Sequence, residues 1–281
     1  MSSFQRDPSR SPTDLEILEH QQSVVEAHTS TQLLVGPQEP LAALAKEYRG
    51  SESFRAQIER LTQDYQAIRR CRGDGNCFYR AFAMGWYEAV HSDPRRCAQA
   101  LRTLEESADC LQQVGFESLV FEDFLKTATD TLHTLQCTSR DSPADAEALL
   151  EQSFQTPEVS NSIVVYLRML TSAFLRQHQD DYLPFLEGEP DMVRFCTGQV
   201  EAMGVESEEI HLIALTRALG VSLRVVYLDG SPRASESGRP VTIHPFPNAE
   251  ECAANASSGV VTLLYRPGHY DLIYPNHPTS Q

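Results

Sequence analysis

The 281-residue chain is 41% hydrophobic and holds 39 acidic against 23 basic residues, a formal charge of -16. That length supports one sizeable core with room for an added arm rather than a second full domain. The charge argues against binding by phosphate neutralisation, which needs clustered Lys and Arg.

The first dozen residues, rich in Ser, Pro, Arg and Gln, lack apolar periodicity and predict disorder. Thr13-Asp14-Leu15-Glu16 reads as a capping box opening a short helix, which Gly36-Pro37 and Pro40 end. Residues 1–40 are therefore expected to be a flexible N-terminal arm, and residues 41–281 the main folded domain. Phe54, Ile58, Leu61, Tyr65 and Ile68 recur at helical spacing and predict a helix over 51–68. Further helices are marked by Phe78, Phe82, Trp86 and Ala89, and then by Phe121, Phe124, Leu125, Ala128, Leu132 and Leu135. Ile163, Val164, Leu167, Leu170 and Phe174 mark another, Met192, Phe195 and Cys196 a short one, and Ile210, Ile213, Ala214 and Ala218 the last. Gly220 stops it in the left-handed manner. Aromatic stripes at such spacing are core far more often than cofactor boxes.

The character then changes. Residues 221–228, 241–246, 260–265 and 269–274 are β-branched or alternating and predict strands, the last two joined by a Pro267-Gly268 turn. Residues 229–239, rich in Ser, Gly and Pro, predict an exposed loop. Helices followed by strands imply an α+β fold, a helical lobe packed on a small mixed or antiparallel sheet.

Seven cysteines without a Cys-x-x-Cys pair point away from a disulfide framework and from a cysteine metal cage. No stretch approaches membrane-spanning length. The expectation is a soluble monomer of a reducing compartment, cytoplasmic or nuclear, with no metal, nucleic-acid or membrane partner.

The informative segment is Arg72-Gly73-Asp74-Gly75-Asn76-Cys77-Phe78, a glycine-bracketed polar turn running into an amphipathic helix. Cys77 falls at that helix's start, where unpaired amides and the positive end of the dipole favour thiolate over thiol. Arg69, Arg70 and Arg72 are expected to add to the effect. Gly73 and Gly75 free the backbone to turn its amides toward one point, as an oxyanion requires. The alternative, one buried thiol among seven beside a tight turn, would be the better bet for an arbitrary cysteine. A dinucleotide loop is excluded because Phe78 stands where its third glycine belongs and no strand is expected before the loop.

A nucleophilic cysteine needs a base and the base an orienting group. His20, His28 and His91 lie in polar stretches. His269 instead opens a strand after a turn, and strand alternation puts Asp271 on its face, able to hold the imidazole tautomer. A lone His-x-Asp strand is a weak signal, and pairing it with the cysteine loop makes it a strong one.

These residues resemble the ovarian-tumour-type deubiquitinases, with their Asp-Gly-Asn-Cys loop and late His-Tyr strand, and in particular the otubain branch. The resemblance extends through 64–69, Gly115-Phe116-Glu117, 165–172, Phe195-Cys196, Val200-Glu201, 210–215 and 263–271, covering roughly Ala45 to Tyr274. It implies a papain-like fold variant that hydrolyses isopeptide bonds at the ubiquitin C-terminus without cofactor. Carried over by motif position, Cys77 is the nucleophile, His269 the base and then acid, Asp271 its orienter, and Asp74 a shaper of the oxyanion loop. The implied partners are ubiquitin, polyubiquitin chains and, through the helical arm, a ubiquitin-conjugating enzyme. The second function hypothesis is accordingly a binding protein that restrains such an enzyme without cleavage.

The chain departs from the family pattern at 155–161, where Gln-Thr-Pro-Glu-Val-Ser-Asn stands in place of an Asn-Asp-Gln-Ser-type stretch, at a long 229–239 loop, and at Ala202 in place of a frequent proline. The first two regions are expected near ubiquitin and bear on linkage preference.

Overall fold

The computed structural model describes residues 31–186, 191–229, 242–247 and 260–276. The capping box at Thr13, the helix expected after it, and the loop beyond Asp229 lie outside these residues.

In chain order the elements are β1 (Val35–Pro40), a 3-10 turn (Leu41–Lys46), α1 (Glu52–Asp64), β2 (Tyr65–Cys71), α2 (Cys77–Val90), α3 (Pro94–Gln113), α4 (Ser118–Asp141), α5 (Pro143–Gln155) and α6 (Pro157–Gln177). The helical turns Gln179–Tyr182 and Met192–Phe195 and a π turn, Cys196–Val200, lead to α7 (Glu209–Leu219), followed by β3 (Ser222–Tyr227), β4 (Ile243–Phe246), β5 (Val260–Arg266) and β6 (His269–Pro275). The strands form one sheet in the order β1-β2-β6-β5-β3-β4. Only the β3/β5 pair is parallel. The fold is thus the expected α+β arrangement with a mixed sheet.

Both faces of the sheet are covered. The helical lobe packs Phe78, Phe82 and Trp86 of α2 against Val261, Leu263 and Leu272. On the opposite face Leu41 and Leu44 of the 3-10 turn and Ile58 and Leu61 of α1 cover Ile68, Leu264 and Ile273. The approach of α2 to the sheet depends on Gly85, where a Cβ would stand 2.7 Å from Leu272 Cδ1 and 3.0 Å from Val261 Cγ1.

The structure corrects the predicted helix over 51–68, because α1 ends at Asp64 and residues 65–71 are a central strand paired with β1 and β6. A strand buried on both faces loses the alternation that identifies it, so Tyr65 and Ile68 passed for a continuation of the helical stripe. A strand does therefore precede the glycine loop, and the case against a dinucleotide loop rests on Phe78 alone. Residues 35–40, assigned to the arm, form the sheet's edge strand, the position where prolines such as Pro37 and Pro40 are tolerated.

Helices α3 and α5 went unmarked by apolar spacing, but both carry a start signal, a capping residue followed by proline at the first helical position. The Asp93 carboxylate accepts from the Arg95 and Arg96 amides at 2.8 and 3.2 Å. Ser142 Oγ accepts from the Asp145 amide. At the end of α7 Gly220 is left-handed, φ 61°, as its position predicts.

Candidate active site

The chain turns from β2 into α2 through residues 72–76, and Cys77 is the first residue of α2 with Asn76 at its N-cap. Cys77 is therefore at the end of the helix where amides lack intrahelical acceptors. Among the described residues the amides of Gly75 and Cys77 have no acceptor, whereas the Asp74 amide donates to Arg72 O and the Asn76 amide to Asp74 Oδ1. Two free donors, one in the loop and one on Cys77 itself, are what a tetrahedral oxyanion needs.

The loop is held by groups the apolar reading did not single out. Arg80, fully buried on α2, donates to both Asp74 carboxylate oxygens at 3.0 and 3.1 Å, to Ser160 Oγ and to Asn161 Oδ1. Asp74 thus points into the protein and fixes the loop from behind. The divergent 155–161 segment reaches the loop through the same arginine. Arg168, also fully buried, donates to Gly75 O, Asn76 Oδ1, Val200 O and Val205 O, with its guanidinium 4.6 Å from the Tyr79 ring centroid. Asn76 Oδ1 accepts the Gly204 amide as well. Gly75 is required twice over. Its φ is 74°, and a Cβ there would stand 2.0 Å from Gly204 O.

β6 begins at His269. His269 Nε2 lies 2.9 Å from Asp271 Oδ1, the same-face neighbour two residues on. With Nε2 so engaged, Nδ1 faces the glycine loop, 3.6 Å from where a Gly73 Cβ would be. The ring is largely buried, which disfavours its charge, but hydrogen bonding and charge from Asp271 and from Cys77 outweigh this and raise its pKa to about 9.

Asp271 is fully buried and its acceptor sites are filled. Oδ1 takes the Cys71 amide at 2.9 Å besides His269, and Oδ2 takes Arg266 Nη2 at 2.6 Å. Burial opposes its ionisation, yet His269, Arg266 and the Cys71 amide together hold its pKa below the ordinary carboxylate value. The structure thus brings Cys77 and Asp271 within hydrogen-bonding reach of His269, and His269 lines a cleft of about 590 Å³ with Gly73, Cys71, Arg70 and Arg266.

The expected contribution of Arg69, Arg70 and Arg72 to Cys77 is not what the structure shows. Arg69 is paired with Glu88 and Glu151, Arg70 with Glu39 and Glu47, and Arg72 with Gln32 O. Strand alternation puts Arg69 on the lobe face, and Arg70 on the opposite face beside the cleft, where its two carboxylate partners already engage it. The cations that reach the nucleophile loop are Arg80 and Arg168. Their signal in the sequence is their place in otherwise apolar helix faces, where an unexplained arginine calls for a buried partner.

Against this geometry, residues 27–275 match the family model for peptidase C65, otubain. The chain is 37% identical to the Arabidopsis thaliana OVARIAN TUMOR DOMAIN-containing deubiquitinating enzyme 1, over 92% of this chain and 86% of that protein. It is 36% identical to Homo sapiens ubiquitin thioesterase OTUB1, over 86% and 83% of the two chains. A solved structure of h/ceOTUB1 with ubiquitin aldehyde and UBCH5B~Ub superposes with a TM-score of 0.80 at 27% identity, covering 93% of this chain and 98% of that one. A second, with UBC13~Ub, gives 0.80 at 28%. By its sequence and by its fold, the chain belongs to the peptidase C65 otubain family.

Proposed function

We propose that the protein is a cysteine deubiquitinase that hydrolyses isopeptide bonds at the C-terminus of ubiquitin, with Cys77 as nucleophile, His269 as proton carrier, Asp271 as its orienter and Asp74 as a shaper of the loop. The observation that carries this reading is the meeting of a helix-start cysteine with a strand-held His-Asp pair beside two unpaired amides. The names and bound ubiquitin aldehyde of the family relatives give the substrate class.

His269, hydrogen-bonded to Cys77 and with its pKa near 9, takes the thiol proton and holds it at neutral pH. The Cys77 thiolate attacks the ubiquitin C-terminal carbonyl carbon, and the oxyanion accepts from the Gly75 and Cys77 amides. Collapse breaks the C–N bond as His269 gives its proton to the departing lysine amine, leaving a thioester on Cys77. Neutral His269 then takes a proton from water, whose oxygen attacks the thioester carbonyl. The second collapse releases the ubiquitin carboxylate and restores the pair. No step needs an external cofactor.

The test is a panel of di-ubiquitins of every lysine linkage beside the Cys77→Ala variant. Cleavage of at least one linkage by the unmodified chain and of none by the variant is expected; identical digestion by both would refute the reading.

A second activity, restraint of a ubiquitin-conjugating enzyme, is favoured by the solved relatives that carry UBC13~Ub or UBCH5B~Ub alongside ubiquitin aldehyde. The part of the expected arm that precedes the edge strand is the proposed element for it. Deleting residues 1–30, which leaves the edge strand in place, should abolish restraint while cleavage continues. The six cysteines among the described residues are all free thiols, in keeping with a reducing cytoplasmic or nuclear setting.

A further inference from the structure

His269 and Asp271 project from the face of the sheet opposite the helical lobe. Cross-strand partners share a face, so Asp271, paired with Leu264, and His269, paired with Arg266, lie on the side of Leu264 and Ile273. That side is covered by the Leu41–Lys46 turn and α1. Cys77 comes from the lobe on the other side, so the two halves of the site are supported by different parts of the chain.

The residues that end the turn reach this face. Glu47 Oε2 accepts from Arg266 Nη1 at 2.9 Å, and Glu47 Oε1 accepts from Arg70 Nη1 at 2.5 Å. Tyr48, its ring stacked on Phe54 at 4.5 Å, is a further hydrogen-bonding neighbour of Arg266. Arg266 in turn spends Nη2 on Asp271 Oδ2 at 2.6 Å. One guanidinium therefore bridges Glu47 and Asp271, and the carboxylate that orients His269 is itself clamped by a charge whose position Glu47 sets. The turn can hold Glu47 in place because Leu41 and Leu44 are fully buried.

We propose that Glu47 and Arg266 are positioning residues for the Asp271 and His269 pair, so that the Leu41–Lys46 segment, outside the helical lobe, sets the reactivity of Cys77. The proposal rests on the roles given above to Cys77, His269 and Asp271. A guanidinium suits this bridge because its planar fork holds donors on separate nitrogens toward the two carboxylates, whereas an ammonium would have to bring both to one nitrogen.

The test uses the full chain with Glu47→Gln, Arg266→Gln, Arg266→Lys and the Glu47→Gln/Arg266→Gln double variant, each checked for folding by its urea midpoint. Two readouts are taken. One is kcat and KM on ubiquitin bearing a C-terminal fluorogenic amide. The other is the rate of Cys77 alkylation by iodoacetamide, followed by peptide mass spectrometry, which needs no ubiquitin.

Arg266→Gln should lower kcat about tenfold while KM stays within about twofold, as expected for loss of a charged hydrogen bond that binds no substrate. Glu47→Gln, removing a half-exposed partner, should lower kcat about threefold. Arg266→Lys should fall between Arg266→Gln and the unmodified chain. The double variant should match Arg266→Gln alone, because Glu47 reaches Asp271 through that arginine and its other partner, Arg70, has no hydrogen bond to Asp271 or His269. Cys77 alkylation should slow in the same order.

Additive losses in the double variant, or a Glu47→Gln chain with unchanged kcat and unchanged alkylation, would overturn the proposal. If the unmodified chain leaves every ubiquitin substrate intact while alkylation follows the predicted order, the ubiquitin reading fails and the positioning role stands. Should Arg266→Gln not fold, Glu47→Gln alone decides the matter.

Discussion

Asp271 is the residue on which the account turns at the smallest scale, because its two oxygens collect His269, the Cys71 amide and Arg266. Replacing it with Asn removes the charge that helps hold the imidazole pKa near 9. The alkaline limb of kcat/KM, expected near that value in the unmodified chain, should move in Asp271→Asn toward the ordinary histidine value of about 6.5. The accompanying loss in kcat should be on the order of 10²–10⁴-fold. A pH-rate profile of the two proteins checks both, and an unmoved limb would show that Asp271 does not act on His269. Gly75 is constrained sterically. Gly75→Ala places a methyl against Gly204 O in a left-handed backbone, and should cost at least about 2 kcal/mol of stability, read from urea unfolding. Cys77, His269 and Asp271, the proposed nucleophile, base and orienter, were legible as residues in the sequence. Arg80, Arg168, Arg266 and Glu47 were not, because a buried ion pair between distant residues leaves no local pattern.

At the scale of elements, the helices marked by the stripes at Phe78, Phe121, Ile163 and Ile210 and the last four strands stand where their apolar spacing or β-branched runs place them. β2 was lost because burial on both faces erased its period, and β1 because its prolines resemble helix breakers. α3 and α5 would have been found from Asp93-Pro94 and Ser142-Pro143 rather than from apolar spacing. The joint between α2 and the sheet yields a further prediction. Glu88 of α2 accepts the Tyr274 hydroxyl and pairs with Arg69, but burial outweighs both and raises its pKa to about 7. A raised folded pKa favours the folded state below the unfolded value of about 4.5, and that contribution is lost as pH rises through about 7. Over that window the Tm of Glu88→Gln should fall less with pH than that of the unmodified chain. Parallel Tm curves would contradict the burial argument.

For the whole molecule, the proposed catalytic groups are divided between a helical lobe that presents Cys77 and a sheet that presents His269 from its opposite face, and their meeting is a product of the complete fold. The family match over 27–275 spans both parts. The sequence motifs pointed to the chemistry, while the division of support between the lobe and the 41–48 segment became visible only in three dimensions. The most direct measurement is intact mass after mixing the full chain with ubiquitin carrying a C-terminal electrophile. The account predicts a single added ubiquitin on Cys77, formed much more slowly in His269→Ala and absent in Cys77→Ala. An unlabelled chain, or labelling that persists without Cys77, would contradict it.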